Sequence, residues 1–88
     1  MPGIARKDTD IAGGVAIDGS SDVFVNGNGV VRIGDRVAGH GLPPHSPPPP
    51  MTEGSSTVFV NGIEVCREGD AASCGHTITG SDDVFAGG

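Results

Sequence analysis

Short apolar segments separated by glycine-containing turns recur along the chain. The segment GSSDVFVNG at 19–27 sets a polar Gly-Ser entry before a Val-Phe-Val run, and it returns as GSSTVFVNG at 54–62. β-Branched and aromatic residues favour strands. Asn-Gly after such a run is typical of a β-hairpin, because both central residues of a type I′ turn need positive φ. We therefore predict two hairpins, and the scarcity of Leu, Glu, Lys and Gln predicts few or no helices.

The two hairpins belong to a longer repeated unit. When 19–35 is aligned with 54–70, twelve of the seventeen positions are identical, and both copies end in Arg-x-Gly-Asp. A third copy is split: residues 6–8 (RKD) resemble the end of the unit, and GSDDVFAGG at 80–88 resembles its start. Three related units predict an all-β fold with pseudo-threefold symmetry, in which the two ends of the chain meet to complete a ring.

The composition suits one small domain with a thin core. The chain has 88 residues, including one Leu, three Phe and neither Trp nor Tyr. A domain of this size buries only about 60% of the surface that its unfolded chain exposes. Such domains usually need a metal, disulfides or association with a partner. We interpret 1–88 as a single domain with no effector extension.

The charge and the lack of long apolar segments exclude several classes of function. A formal net charge of −6, with five Lys and Arg in total, does not suit a nucleic-acid binder or a polybasic membrane anchor. No apolar stretch has the length of a transmembrane helix, and the N-terminal residues lack the apolar core of a signal peptide. Without an export signal, metal binding is a better interpretation of the cysteines than a disulfide.

Candidate metal ligands lie in two of the three connections between units. His40 and His45 lie in the second connection, and Cys74 and His76 lie in the third. Three imidazoles and one thiolate form a donor set that suits tetrahedral zinc. Pseudo-threefold symmetry would bring both connections to one end, so we expect the four side chains to converge on one structural zinc ion. The first connection, TDIAGGVAID, has neither His nor Cys and should supply no ligand.

The remaining repeated residues fit structural roles. Cys66 aligns with Val31, which predicts a buried strand residue outside the metal site. The two Arg-x-Gly-Asp ends could form a charged ring that recognises a partner. We favour turn chemistry instead, in which Asp accepts backbone N–H bonds after a Gly of unusual φ. Asn26 and Asn61 are interpreted as turn formers in the same sense.

The segment LPPHSPPPP at 42–50 has low complexity. Proline runs favour an extended, stiff polyproline II conformation. One interpretation is a ligand for a proline-recognising domain. We favour the other, a rigid surface loop that carries His45 to a specific place, because the run lacks the basic residue that usually flanks such ligands.

The doubled GSSxVFVNG…RxGD hairpins, the glycine-rich connections and the His/His and Cys/His pairs resemble the PAAR-repeat proteins. The likeness runs from about Arg6 to Gly88. The Pro-Ala-Ala-Arg sequence that names the family is degenerate here, since GVVR at 29–32 and EVCR at 64–67 keep only the arginine. Relatives commonly have a histidine near 9–14, where this chain has none. The resemblance implies a small cone of short β-hairpins with zinc near its apex.

The resemblance also implies a structural function. In type VI secretion systems and contractile phage tails, the base of such a cone sits on the blunt end of a trimeric β-helical spike, with one chain per trimer. It sharpens the spike for piercing a membrane, which it contacts transiently. We therefore expect a spike-tip protein that resides in the bacterial cytoplasm before assembly and at the spike tip afterwards. The sequence does not distinguish a secretion apparatus from a phage tail.

Two other functions compete with this expectation. An adaptor would recruit an effector cargo to the spike through the proline segment or the hairpin ends. A zinc hydrolase would keep one coordination position open and a carboxylate base nearby. Four candidate ligands already fill a tetrahedron, and Glu53, Glu64 and Glu68 adjoin none of them. We therefore expect no catalytic residues and no enzyme activity.

Overall fold

The computed structural model describes residues 2–86, which fold into short antiparallel hairpins. Within this range there is no helix, and so none that is long and apolar enough to cross a membrane. The molecule measures 32 × 24 × 23 Å along its principal axes, so it has one long axis and two nearly equal short ones. The paired strands are β1 (Ile11–Ala12) with β2 (Gly14–Val15), β3 (Phe24–Val25) with β4 (Asn28–Gly29), and β5 (Phe59–Val60) with β6 (Ile63–Glu64).

Both Asn-Gly turns have the conformation that the sequence predicts. Asn26 and Gly27 have φ values of 53° and 82°, and Asn61 and Gly62 have values of 56° and 78°. Two consecutive residues with positive φ are the requirement of a type I′ turn, whose twist matches that of the flanking strands. The two predicted hairpins are confirmed, and the asparagines are turn formers.

Isolated β-bridges join the three units into a ring. In each of three bridges, an arginine of one unit pairs with an apolar residue of the next. The pairs are Arg6 with Val30, Arg32 with Val65, and Arg67 with Ile4. A further bridge, Gly3 with Phe85, joins the two halves of the split unit. The predicted meeting of the two ends of the chain is therefore confirmed.

The split unit departs from the predicted Arg-x-Gly-Asp ending. The alignment places Asp8 at the position of the last Asp, but Asp8 has a φ of 64° and takes the role of the glycine. Aspartate is among the few residues that tolerate this conformation. Asp10 supplies the carboxylate instead, and its Oδ2 lies 2.8 Å from Nε of Arg6. The alignment did not show this, because Thr9 makes the spacing from Arg6 to its Asp one residue longer than in the other two units.

Among residues 2–86, the core consists of two clusters of mostly small and β-branched residues. Cys66 is fully buried in the larger cluster, and its Sγ donates a hydrogen bond to the carbonyl of Glu53 at 3.3 Å. Burial raises the pKa of the Cys66 thiol to about 12. The prediction that Cys66 is a core residue is therefore confirmed. The larger cluster contains Ala5, Ala12, Ala16, Val31, Val37, Met51, Cys66, Ala72 and Ile78, and the smaller contains Ile4, Val25, Val30, Val65 and Ala86.

Residues 42–45 of the proline segment form a hydrogen-bonded turn, and the prediction of an extended polyproline II conformation is wrong there. The amide of His45 donates to the carbonyl of Leu42 at 2.8 Å, whereas polyproline II has no internal hydrogen bonds. The Pro43-Pro44 and Ser46-Pro47 peptide bonds are cis. The amide of His40 also donates to the carbonyl of His45 at 3.0 Å. The segment is thus an ordered loop that carries His45 to His40.

Candidate metal centre

The four side chains that the sequence singles out lie together. His40, His45, Cys74 and His76 each offer one ligand atom, and these atoms all lie within 4.8 Å of one another. We call this group the His/Cys cluster. Its members come from the second and third connections, and Cys74 packs against the larger core cluster. His76 is exposed, and the other three side chains are partly buried.

Four of the six separations between the donor atoms are close to the edges of a tetrahedral metal site. Nε2 of His40 lies 3.0 Å from Nδ1 of His76 and 3.1 Å from Nδ1 of His45. Sγ of Cys74 lies 3.5 Å from Nε2 of His40 and 3.7 Å from Nδ1 of His76. Zinc bonds of about 2.0–2.1 Å to nitrogen and 2.3 Å to sulfur give tetrahedron edges of about 3.3 Å and about 3.6 Å. These four separations differ from the corresponding edges by a few tenths of an ångström.

The second connection positions both of its histidines. Nδ1 of His40 lies 2.9 Å from the carbonyl oxygen of Ala38, so Nδ1 carries a proton and donates a hydrogen bond to that oxygen. Nε2 is then unprotonated and free to act as the metal ligand. An imidazole that binds a metal commonly makes such a bond through its other nitrogen, because the bond fixes the tautomer and the ring orientation. His45 is held by the loop described above.

The third connection is a tight turn around Gly75. The amide of Gly75 donates to the carbonyl of Ala72 at 3.0 Å, and the amide of Ala72 donates to the carbonyl of His76 at 2.9 Å. Gly75 has a φ of 94°, in the region that favours glycine. The turn places Cys74 and His76, two positions apart, on the same side.

The first connection contributes a residue that the sequence did not indicate. Gly13 forms the turn between β1 and β2, and a Cβ atom built on it would overlap Nδ1 of His76 and Nε2 of His40. The His/Cys cluster takes no donor from this connection. Gly13 offers no ligand signal in the sequence, because what matters at this position is that the residue has no side chain.

The Arg and Asp residues at the unit ends form the predicted turns. In each of the three units, Oδ2 of the Asp accepts a 2.8 Å hydrogen bond from the backbone amide of the Arg. The same oxygen lies 2.8–3.1 Å from Nε of the Arg. The turn-chemistry interpretation is confirmed. The pairs are Arg6 with Asp10, Arg32 with Asp35, and Arg67 with Asp70.

Asp10 is the most enclosed of these carboxylates. Its side chain is 4% exposed, and besides Arg6 it accepts a 2.8 Å hydrogen bond from Oγ1 of Thr79. Burial alone would raise the pKa of Asp10, but the hydrogen bonds from Arg6 and Thr79 outweigh burial and hold that pKa below its usual value.

The arginines also link neighbouring units, which the sequence did not predict. Nη1 of Arg6 donates to Oδ1 of Asn26, and Nη1 of Arg32 donates to Oδ1 of Asn61, both at 3.0 Å. Each asparagine is therefore a turn former and a contact between units. No local pattern could have shown this, because the partners are far apart in the chain.

Together these features define a pseudo-threefold all-β protein with a His/Cys cluster at two of its connections. The family model described as PAAR motif matches residues 6–80, most of the chain. The chain therefore belongs to the PAAR motif family, which is known for spike-tip proteins of type VI secretion. The motif indicates a family of structural proteins rather than enzymes. No curated protein matches the chain.

Proposed function

We propose that this chain caps the blunt end of a trimeric β-helical spike and forms the metal-stabilised point of a contractile injection machine. One chain serves one spike trimer. It joins the spike in the bacterial cytoplasm, before the spike is driven through a membrane of the target. Membership of the PAAR motif family and the pseudo-threefold ring support the proposal.

The observation that carries this proposal is an exposed phenylalanine at three equivalent positions. Phe24, Phe59 and Phe85 are 57%, 53% and 47% exposed, and they are the three phenylalanines of the chain. The largest apolar side chains are thus left outside a core of smaller residues. Core packing does not explain an exposure repeated in three copies, whereas a partner with true threefold symmetry would contact all three positions alike.

The extended segments that carry the phenylalanines, β3, β5 and the bridged position Phe85, also build the smaller core cluster. Val25 and Ala86 directly follow Phe24 and Phe85, and both are buried in that cluster. Val60 directly follows Phe59 and packs against the same cluster. Because successive strand residues point to opposite faces, each phenylalanine points away from this cluster. Docking onto a spike would remove these apolar side chains from water, which is favourable.

The His/Cys cluster would stabilise a different part of the molecule. Three imidazoles and one thiolate suit zinc better than a hard cation, which prefers oxygen ligands. A zinc ion held by His40, His45, Cys74 and His76 would cross-link the second and third connections. Because the core is small, the free energy of metal binding would add directly to the stability of the fold.

Native mass spectrometry tests the proposal. The chain is co-expressed with a trimeric β-helical spike protein, and the complex is transferred intact to the gas phase. We expect a mass of one chain and one zinc ion on one spike trimer. Three chains per trimer, or a spike trimer with no bound chain, would contradict the proposal.

A matched pair of variants tests the docking residues. Replacing Phe24, Phe59 and Phe85 by Ser should abolish the complex with the spike. Ile11→Ser is the control, because Ile11 is 49% exposed and lies outside the repeated positions. Retention of the complex by the triple variant, with its melting temperature unchanged, would show that the phenylalanines do not contact the spike.

A further inference from the structure

The hairpin β1–β2, in the first connection, holds a glycine against the His/Cys cluster. Ala12 pairs with Gly14, so Gly13 alone forms the turn, with a φ of 80°. Ala12 is fully buried. The hairpin is also tied to the end of the third connection. The amide of Ile11 donates to Oγ1 of Thr79 at 3.0 Å, and the carbonyl oxygen of Ile11 accepts from the amide of Thr79 at 3.1 Å. These contacts fix the place of Gly13.

Gly13 lies at the edge between two of the donor atoms. A Cβ built on it would overlap Nδ1 of His76 and Nε2 of His40, and would lie 2.7 Å from Cδ2 of His40. Those two nitrogens are the pair separated by 3.0 Å. A methyl group therefore cannot coexist with both nitrogens where they are. The bare Cα of Gly13 covers this edge without displacing either imidazole.

The adjacent Gly14 is equally constrained. A Cβ at Gly14 would overlap the carbonyl oxygen of Ala38, and would lie 3.1 Å from Nδ1 of His40. That oxygen is the group that fixes the orientation of the His40 imidazole. The Gly-Gly pair of the first connection therefore packs against both nitrogens of His40.

We propose that Gly13 is a positioning residue for the metal, in the connection that supplies no ligand. Its backbone sets how closely His40 and His76 approach, and it prevents an additional ligand from reaching a bound ion across their shared edge. The site should therefore prefer four-coordinate cations such as zinc over cations that need six ligands. This inference rests on the proposed metal site.

A control must separate this effect from backbone strain. Any other L-residue at position 13 is strained because of the positive φ, whatever surrounds it. Gly62 offers the match: it also lies in a hairpin turn, with a φ of 78°, and a Cβ built on it meets no atom within 4 Å. Gly13→Ala and Gly62→Ala thus share the strain, but only the former overlaps the donor nitrogens.

The experiment is a titration of the chelator-treated protein with cobalt(II) chloride, followed by visible and near-ultraviolet absorption. Four-coordinate cobalt absorbs intensely in the visible, six-coordinate cobalt absorbs weakly, and a thiolate ligand adds a charge-transfer band. We expect the parent protein and Gly62→Ala to show the intense bands and the thiolate band. Gly13→Ala should bind cobalt about 10–100-fold more weakly, or show the weak six-coordinate spectrum.

Each outcome decides between the hypotheses. Equal affinity and equal spectra for the two variants would overturn the role of Gly13 and leave the metal site intact. A parent protein that gives no cobalt spectrum would instead overturn the metal site itself.

Melting curves cover the case in which Gly13→Ala is poorly folded. A variant that melts like the metal-free parent, with or without cobalt, supports the inference. The metal-free proteins give the opposite test. If Gly13→Ala lowers the melting temperature of the metal-free protein more than Gly62→Ala does, Gly13 acts through packing alone, and the inference fails.

Discussion

The guanidinium of Arg32 donates a 3.0 Å hydrogen bond to the side-chain oxygen of Asn61, which forms the hairpin turn of the following unit. The amide nitrogen of Asn61 in turn donates to Oδ1 of Asp22 at 3.0 Å. Asn61 therefore contacts both ends of the preceding unit, Asp22 near its start and Arg32 near its end. Because Arg6 and Asn26 repeat the first contact, this relationship belongs to the unit itself.

Asn61→Gly should destabilise the protein although glycine adopts the positive φ of the turn without strain. The variant loses the acceptor for Arg32 and the donor to Asp22, and we expect a loss of roughly 1 kcal/mol in the free energy of unfolding. Urea denaturation measures it. In a double-mutant cycle with Arg32→Ala, a coupling of about 0.5 kcal/mol or more should appear. Strict additivity would show that the contact contributes nothing.

His76→Ala should lower the melting temperature, because it removes one ligand from a site that supplements a small core. The expected decrease is on the order of 10 °C, since for a chain of this size each kcal/mol shifts the melting temperature by about 4–8 °C. Calorimetry of the metal-loaded proteins measures it, and elemental analysis should find one zinc ion in the parent. Chelator should then bring the parent and the variant to the same temperature. An unchanged melting temperature before chelation would exclude a structural metal.

Acid should selectively weaken the Arg6–Asp10 pair. Because the pKa of Asp10 is lowered in the folded state, its contribution is complete above the unfolded pKa of about 3.9 and is lost as the pH falls through the lower folded pKa. Asp10→Asn should cost about 1–2 kcal/mol at pH 7, and less as the pH falls below about 4. Denaturation of both proteins across pH 2–7 measures the difference.

The control for this pH series is Asp8→Asn. Asp8 is exposed and adopts a positive φ that asparagine also tolerates. This variant should differ little from the parent at any pH. A difference between Asp10→Asn and the parent that did not change with pH would mean that the carboxylate charge is not what stabilises this turn.

The two thiols should differ sharply in reactivity. In the folded protein at pH 8, Cys66 should not react with iodoacetamide, because it is fully buried and its pKa is raised to about 12. Cys74 should react once the metal is removed by chelator, and should be protected when zinc is present. Mass spectrometry should thus show one adduct per chain, also in Cys66→Val, since Val31 fills the equivalent position. Two adducts on the folded parent would contradict the burial of Cys66.

The sequence predicted the hairpins that are encoded locally. In β3–β4 and β5–β6 the strand residues and the Asn-Gly turn lie within a few positions, so the pattern suffices. The hairpin β1–β2 escaped prediction because its one-residue turn at Gly13 has no such signature, and because contacts with Thr79, at the other end of the chain, help to hold it.

The candidate metal site likewise has a part that the sequence predicted and a part that depends on contacts in the folded chain. Residue types alone brought His40, His45, Cys74 and His76 to attention, and the structure places them together. The conformation of residues 42–45 was predicted wrongly, because composition reports the preference of an isolated segment. In the folded protein, the hydrogen bonds of His45 with Leu42 and His40 decide the path of the backbone instead.

The ring also has a consequence for how the protein folds. Each hairpin forms from neighbouring residues, but the ring closes only when Ile4 reaches Arg67 and Gly3 reaches Phe85, from opposite ends of the chain. Contacts between residues so distant in sequence raise the contact order, which slows folding. Linear repeat proteins can fold outward from any unit, because each repeat contacts only its neighbours in the chain. In this ring the first and last segments share one unit, so we expect the three units to fold together in a single slow, cooperative step.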